Sequence, residues 1–543
     1  MEGAATEIEW QLDAQDLRLV ARWLETGDAA RPVTVTPGQT RNHVDTYLDT
    51  EDRRLERAGF SVRVRRSRRL PPEATLKSLN GANADGLQMR LELEEVLHDA
   101  EPTAVTDAPG EVGRRVRALV GSRRLLPLFD LQTRRRVFLL AADGTPSGEL
   151  LLDETTIREP GGPVVSRLRR VEVEVPETAL DTAGAFVDNL RRACGLHPAV
   201  LTKYEAALTA TGSPRAEPED FGPTSIQPTD TIGHVGLAVL RRHFATLLAK
   251  EPGTRLGDDI EELHDMRVAS RRLRAAVALF GDALPVEAER LRPELAWIGQ
   301  TIGAVRDLDV QLAQLDEWVA AAPEPDKEPL SRLRGLLVSE REQARAEMLQ
   351  ALDSARYERF VRRFGTMLRS RTGSRTDPAL SGAPDLVEGR HRALRKAMRR
   401  ARRDGEPASY HRLRIVAKRF RYALEFLADV YPGETKQIVR RTVALQDTLG
   451  AYQDASVAIA RLRQLTAEHG ATLGAETVFA MGEIAERYRG GMEQALGDVG
   501  SRYKQLEGKP WRQLHRRMEE ARPPVPSPPP TAEEPDAQSD PAE

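Results

Sequence analysis

The chain repeats itself, and the repeat constrains its fold more than any other feature. His264-Asp-Met-Arg267-Val-Ala-Ser-Arg271-Arg272-Leu-Arg274 returns as His411-Arg-Leu-Arg414-Ile-Val-Ala-Lys418-Arg419-Phe-Arg421, displaced by 147 residues (264 to 411). At the same displacement and without a gap, Ile302-Gly-Ala-Val-Arg306-Asp307 returns as Leu449-Gly-Ala-Tyr-Gln453-Asp454. Two separate motifs in one register imply a duplicated structural unit.

The duplicated part is helical. From about Asp230 to Met518, apolar residues recur at i, i+3, i+4 and i+7, with breaks read at Glu251 to Gly257, Pro323 to Glu328, Thr372 to Pro384 and Asp404 to Pro407. On a helix, His264, Arg267, Arg271 and Arg274 share one stripe, as do His411, Arg414, Lys418 and Arg421. Like charges at these spacings repel by a few tenths of a kcal/mol per pair. A single such helix reads as a solvated face; twice over, with acids mostly absent from the i+4 offsets, the ridges call for an anion. The imidazoles of His264 and His411 either donate to that anion or cap the ridge.

Residues 1 to about 210 follow another rhythm. Ser61-Val-Arg-Val-Arg, Met89-Arg-Leu-Glu-Leu-Glu and Arg170-Val-Glu-Val-Glu-Val alternate strictly, one face apolar and the other carrying Arg or Glu, with helices expected at Asp13 to Glu25, Gly110 to Gly121 and Thr182 to Cys194. Burying such faces unpaired is prohibitive, so several of these strands together suggest a closed barrel with a charged, wet lumen. The expected organisation is therefore a barrel domain at 1–211, a Pro/Gly/Ser-rich linker at 212–229, a helical domain at 230–520 and a disordered acidic, Pro-rich tail at 521–543.

Composition narrows the function classes. A net charge of −3 over 543 residues conceals local segregation of sign, from Arg65-Arg66-Ser67-Arg68-Arg69 to Asp258-Asp259-Ile260-Glu261-Glu262. The lone Cys194 excludes an intramolecular disulfide and a thiolate zinc cluster. Without a basic-apolar leader, and with no apolar run approaching ~18 residues, the expected location is cytoplasmic. Aromatic residues make up 5% of the chain and do not interleave with the basic runs, which argues against nucleic acid as the partner. The apolar faces of the basic helices are needed for a bundle core, which argues against a membrane surface.

These residues resemble two known families. The paired His-x-x-Arg-x-x-x-Lys/Arg-Arg-x-Arg segments resemble the CHAD domain, the conserved-histidine α-helical module, which implies two pseudo-symmetric four-helix bundles binding inorganic polyphosphate. The front resembles the CYTH domain of the triphosphate tunnel metalloenzymes, starting at Glu7-Ile8-Glu9-Trp10-Gln11, where the family has Glu-x-Glu-x-Lys. Gln11 departs from that pattern and puts turnover in question more than binding. The fold class implied is α+β, a closed antiparallel β barrel followed by an all-α domain.

The resemblance carries roles with it, residue by residue. Arg63, Arg65, Lys77, Arg90, Arg135 and Lys203 would bind the phosphates, as suits a polyanion that needs cations on several sides. Arg135 is preferred because it stands three before Phe138, although strand parity leaves Arg134 and Arg136 open. Glu7, Glu9, Glu92, Glu94, Asp153, Glu172 and Glu174 would hold Mg²⁺ or Mn²⁺, with Glu172 or Glu174 orienting or deprotonating the attacking water. The expected activity is divalent-metal-dependent hydrolysis of inorganic triphosphate or a related compound, with polyphosphate bound behind and association with polyphosphate granules. The alternative is a non-catalytic polyphosphate-binding protein with a degenerate tunnel.

Overall fold

The structure is a computed structural model and describes residues 5–26, 33–80, 82–213, 215–217, 219–370 and 375–521. The chain divides into two compact units. The first is Met1–Asp220 with Ala249–Leu263 and Leu352–Ser354; the second is Phe221–Leu248, His264–Ala351 and Ala355–Glu543.

The first unit is built on ten strands: β1 (Ala5–Asp13), β2 (Thr34–Asp49), β3 (Phe60–Ser67), β4 (Glu73–Ser78), β5 (Ala82–Ala84), β6 (Leu87–Val96), β7 (Leu126–Ala142), β8 (Thr145–Arg158), β9 (Val164–Glu174) and β10 (His197–Pro198). They hydrogen-bond in the order β10-β1-β9-β8-β7-β2-β3-β4-β6-β5, and β1 also pairs with β6. That last pairing closes eight of them into an antiparallel barrel, with β5 and β10 as short flanking strands. Closure leaves no barrel strand with an unpaired edge.

The alternation decides which face goes where. Ile8, Trp10 and Leu12 of β1 point outward and pack with Leu17, Val20 and Leu24 of the helix Leu17–Glu25 and Phe186 and Leu190 of the helix Leu180–Cys194. Elsewhere on the barrel, Val62, Val64, Leu76 and Leu93 are covered by Ala104 and Val105 of the helix Pro102–Asp107 and by Val112 and Val116 of the helix Glu111–Val120. The helices thus remove the outer apolar faces from water, at roughly 25 cal/mol per Å², and the charged faces turn inward.

The second unit is helical, and its duplication is visible in element boundaries. The helices Ile232–Leu256 and Ala379–Asp404 begin 147 residues apart, as do Ile260–Phe280 and Pro407–Phe426. Thr231 and Pro378, also 147 apart, form an antiparallel bridge with each other, through Ile232 N–H to Asp377 O at 3.0 Å and Ala379 N–H to Asp230 O at 2.8 Å. The two bonds are images of one another under the 147-residue displacement, Ile232 with Ala379 and Asp230 with Asp377, which marks a pseudo-twofold axis. Each half continues with two long helices, Arg292–Ala321 and Glu324–Leu352 in the first and Glu434–Leu473 and Ala475–Glu507 in the second, then a shorter fifth, Ala355–Leu368 and Lys509–Ala521. The halves share a core, in which Leu312, Leu315 and Leu333 pack with Leu465, Met481 and Ile484.

Three expected helix breaks fall differently. The chain stays helical through Glu251 to Leu256 with Pro252 inside; the break at Pro323 ends at Glu324 with Pro329 inside the next helix; and the helix from Ala379 contains Pro384. Proline removes one ladder bond and bends a helix; Pro329 and Pro384 are buried, where packing offsets that loss, and Pro252 is half-buried. Residues 371–374 and the tail from Arg522 lie outside the described residues.

Candidate functional site

The barrel lumen is lined by the inward members of each alternating strand. Glu7, Glu9 and Gln11 come from β1, Arg63 from β3, Lys77 from β4, Arg90 from β6, Arg135 from β7, and Glu172 and Glu174 from β9, around a cavity of about 60 Å³. Register sets the neighbours: Glu9 stands opposite Glu174, Gln11 opposite Glu172, Lys77 opposite Glu92 and Arg135 opposite Asp153.

These groups form one ion-pair network. Lys77 contacts Glu7 and lies 3.1 Å from Glu9 and 3.7 Å from Glu92. Arg90 donates to Glu9, and Arg63 reaches Glu92 at 3.3 Å. Arg65 donates to Asp45 at 2.8 Å. Arg135 donates to Asp153 at 2.7 Å and to Glu172 at 2.8 Å, whereas Arg134 and Arg136 are paired at the exterior with Glu154 and Glu25.

Lys203 arrives from a helix that the sequence reading did not include. The helix Lys203–Ala210 starts with a capping box: Thr202 Oγ1 accepts from Glu205 N–H at 3.2 Å, and Glu205 Oε2 accepts from Thr202 N–H at 2.8 Å. Tyr204 packs with Tyr47 and Phe129, ring centroids 5.4 and 5.7 Å away, and Ala207 and Leu208 pack on Leu131 and Ile157. Those four partners share strand faces with the lumen charges, so the helix fills that end of the lumen. Its first residue, Lys203, contacts Asp153 and lies 2.8 Å from Glu172.

The carboxylates divide into two groups by environment. Burial opposes ionisation of Glu172, but Lys203 and Arg135 outweigh it and hold the group well below the usual range; Lys77 and Arg63 likewise lower Glu92 to about 2. Glu7 is pushed up to about 9 by burial and by Glu9, and burial raises Glu174 to about 7 despite Arg135. Glu7, Glu9 and Glu174 offer carboxylate oxygens that all lie within 4.8 Å of one another. Three hard oxygen donors, two of them resisting ionisation because burial and the neighbouring carboxylates outweigh Lys77 and Arg135, fit a hard divalent cation. Glu92, Asp153 and Glu172 lie outside the trio, paired with Arg63, Arg135 and Lys203, and Glu94 is exposed on the lumen side of β6.

Sequence reasoning missed Arg170. It is 2% exposed and donates to Gln11 Oε1 at 3.2 Å and to Asp13 at 3.0 Å; Gln11 Nε2 in turn donates to Glu9 at 2.8 Å. Its parity with Glu172 and Glu174 on one strand was the available signal. Asp45, which takes Arg63 and Arg65, was also missed. His43, which carried no assignment, lies buried 3.7 Å from Asp45, and burial lowers its imidazole to about 3, which keeps it neutral.

In the helical unit, the two ridges meet around a second cavity, of about 180 Å³. Arg267, Ser270, Arg271, Arg274 and Gly299 line it from the first repeat, and Arg414 and Lys418 from the second. His264, His411 and Arg421 are not in its lining: His411 pairs with Gln453 at 2.8 Å and Arg421 with Glu425 at 3.2 Å. Acids absent from the i+4 positions are supplied from neighbouring helices, as Asp307 to Arg267 at 2.9 Å, its repeat image Asp454 to Arg414 at 3.6 Å, and Glu425 to Arg272 at 3.0 Å. Burial, Arg271 and Arg414 together depress the Lys418 ammonium to about 7.

Comparison with known proteins gives two matches, one per unit. Residues 22–194 match the CYTH domain and residues 238–463 the CHAD domain. Similar solved structures include the CHAD domain from the plant Ricinus communis (26% identity, 54% of this chain and 97% of that one, TM-score 0.44). Others are PptA from Streptomyces chartreusis (20%, 50% and 99%, TM-score 0.43) and HpAC1 from Hippeastrum, described with a dominant triphosphatase activity (19%, 38% and 97%, TM-score 0.30). No curated protein matched the sequence.

Proposed function

We propose that this chain, a CYTH domain joined to a CHAD domain, hydrolyses inorganic triphosphate or a related triphosphorylated compound in its barrel with a divalent ion, and binds polyphosphate through its helical unit. The observation that carries the reading is the lumen itself: Arg63, Lys77, Arg90, Arg135 and Lys203 converge from different strands and one helix on a closed space that also holds the Glu7, Glu9 and Glu174 trio. In the unliganded lumen each cation is occupied by a carboxylate. A phosphate chain would take over those donors, and the trio freed from Lys77 and Arg90 would hold Mg²⁺ or Mn²⁺, which supplies charge neutralisation and a polarised water when bound.

The protein's own part is positioning and electrostatics. Arg135 is held through Nε and Nη2 by Asp153 and through Nη2 by Glu172, with Nη1 on the Glu174 side at 3.8 Å, and its guanidinium fork suits phosphate oxygens. Glu172 serves as the anchor for Arg135 and Lys203, since a carboxylate so stabilised as an anion is a poor base. Glu174, on the cavity wall 3.8 Å from Arg135, suits the orientation of the attacking water. Arg65 and Asp45 complete the wall behind Arg63.

The test is phosphate release from tripolyphosphate by the full chain, with Mg²⁺, with Mn²⁺ and with chelator, beside Glu174→Gln. Metal-dependent release lost in the variant is the expected result. Tight tripolyphosphate binding without release under any metal would leave the non-catalytic binding protein as the reading, which Gln11 favours.

A further inference from the structure

The cavity in the helical unit is built unevenly although the unit is duplicated. The 147-residue displacement maps Ser270 onto Ala417, Arg274 onto Arg421 and Gly299 onto Gln446. On the first-repeat side all three residues leave space or offer a donor. A Cβ at Gly299 would stand 3.5 Å from Ser270 Oγ and 3.6 Å from Arg274 Nη1, so any longer side chain there would enter the cavity. On the second-repeat side the Gln446 side chain lies across its neighbour and donates to the Ala417 carbonyl at 2.8 Å. Arg421 is drawn away to Glu425 and stacks over Tyr422, 5.2 Å from the ring centroid. Tyr422 also accepts from Arg271 Nε at 2.7 Å, which fixes Arg271 on the first-repeat side.

The contents of the open side indicate what it takes. Five cations converge there, Arg267, Arg271 and Arg274 from one repeat and Arg414 and Lys418 from the other, with the Ser270 hydroxyl free to rotate from the Arg267 carbonyl, to which it donates at 2.9 Å. The cavity, of about 180 Å³, leaves room for a phosphoryl group. An interior unit of a polyphosphate chain offers two non-bridging oxygens and a single charge. A terminal phosphoryl group offers three acceptor oxygens and a charge of about −1.5 to −2 near neutral pH, and matches the cluster better.

We propose that the first-repeat side of this cavity seats the terminal phosphoryl group of a polyphosphate chain, and that the second repeat keeps no equivalent seat. The proposal rests on the reading of the helical unit as a polyphosphate binder. It makes the grip on the polymer end-specific and one-sided, with the rest of the chain running over the flanking ridges.

The test uses the full chain and long-chain polyphosphate in two forms, with free ends and with both ends blocked as esters, at one fixed ionic strength. Gly299→Gln copies the second repeat into the first, Gln446→Gly does the reverse, and Arg274→Gln removes a seat cation on an exposed side chain. The wild type is expected to prefer free ends by about tenfold or more, a difference of about 1.4 kcal/mol. Gly299→Gln and Arg274→Gln should reduce that preference with an unchanged melting temperature, and Gln446→Gly should keep it. Any end preference of the barrel is common to all four proteins and cancels between them. Equal binding of both forms by the wild type, or a preference untouched by Gly299→Gln and Arg274→Gln, overturns the seat but leaves polyphosphate binding standing. Failure of the wild type to bind either form overturns both.

Discussion

Arg170 Nη1 lies 3.2 Å from Gln11 Oε1, and both side chains are buried, at 2% and 4% exposure. A cation from β9 therefore stands beside the position where the family pattern has lysine on β1, and Gln11 passes its influence on by donating to Glu9. The neutral amide suits this place because it can accept from Arg170 and donate to Glu9 at once.

Restoring the lysine should therefore harm the protein. Gln11→Lys places an ammonium against a buried guanidinium, and thermal denaturation should show a clear loss of stability. Arg170→Leu in the same chain should recover part of it, with a coupling of about 1–3 kcal/mol in the double-mutant cycle. Additive effects would show that the two side chains do not interact.

Metal affinity should rise with pH. Glu7 and Glu174 must both ionise to bind a divalent ion, and they are raised to about 9 and about 7. Binding should release close to two protons below pH 7 and close to one between 7 and 9, so the apparent Mn²⁺ affinity falls steeply on acidification. Calorimetry in buffers of different ionisation enthalpy at pH 6, 7.5 and 9 measures this directly. Glu174→Gln should weaken binding and flatten the dependence around pH 7.

Polyphosphate affinity in the helical unit should fall as pH rises from 6 to 8.5. Lys418 titrates at about 7 when no anion is bound, because burial and then Arg271 and Arg414 disfavour its charge. A bound polyanion reverses that and draws a proton in. Lys418→Arg, which stays charged, should bind with little pH dependence over the same range and still lose affinity with added salt.

Thr202→Ala should cost about 1 kcal/mol through the lost cap. The effect on triphosphate turnover should exceed what that figure implies, because the cap fixes the first turn of the helix that aims Lys203 at Glu172. Turnover and melting temperature measured on the same preparation separate the two.

How much of this was legible depends on the kind of signal. The barrel was readable because strict alternation has one structural meaning when the polar face is all charge. Which arginine of the run enters the lumen was beyond parity alone, since Arg134 and Arg136 share one face and only the pairing of Arg135 with Asp153 decides. β2 hid its contribution: Pro37 and Gly38 interrupt its pattern, yet the strand absorbs them in a register shift between Pro37 and Thr40 and then presents Asp45 to Arg65. The helix at Lys203 did announce itself, as Thr202-Lys-Tyr-Glu205, a capping-box pattern that a family motif overshadowed. The cation ridges were visible as a stripe, with Glu425 at i+4 from Arg421; Asp307 and Asp454 were not, because they approach from other helices.

The helical unit, whose two repeats meet at the bridge between Thr231 and Pro378, is in effect a dimer that the continuous chain keeps from dissociating. Two separate copies meeting about such an axis would assemble only above their dissociation constant and would stay identical by necessity. One continuous chain holds its halves at a high effective concentration whatever the protein's abundance. It also releases them from identity, so that one half can keep Ser270 and Gly299 while the other closes the same place with Ala417 and Gln446.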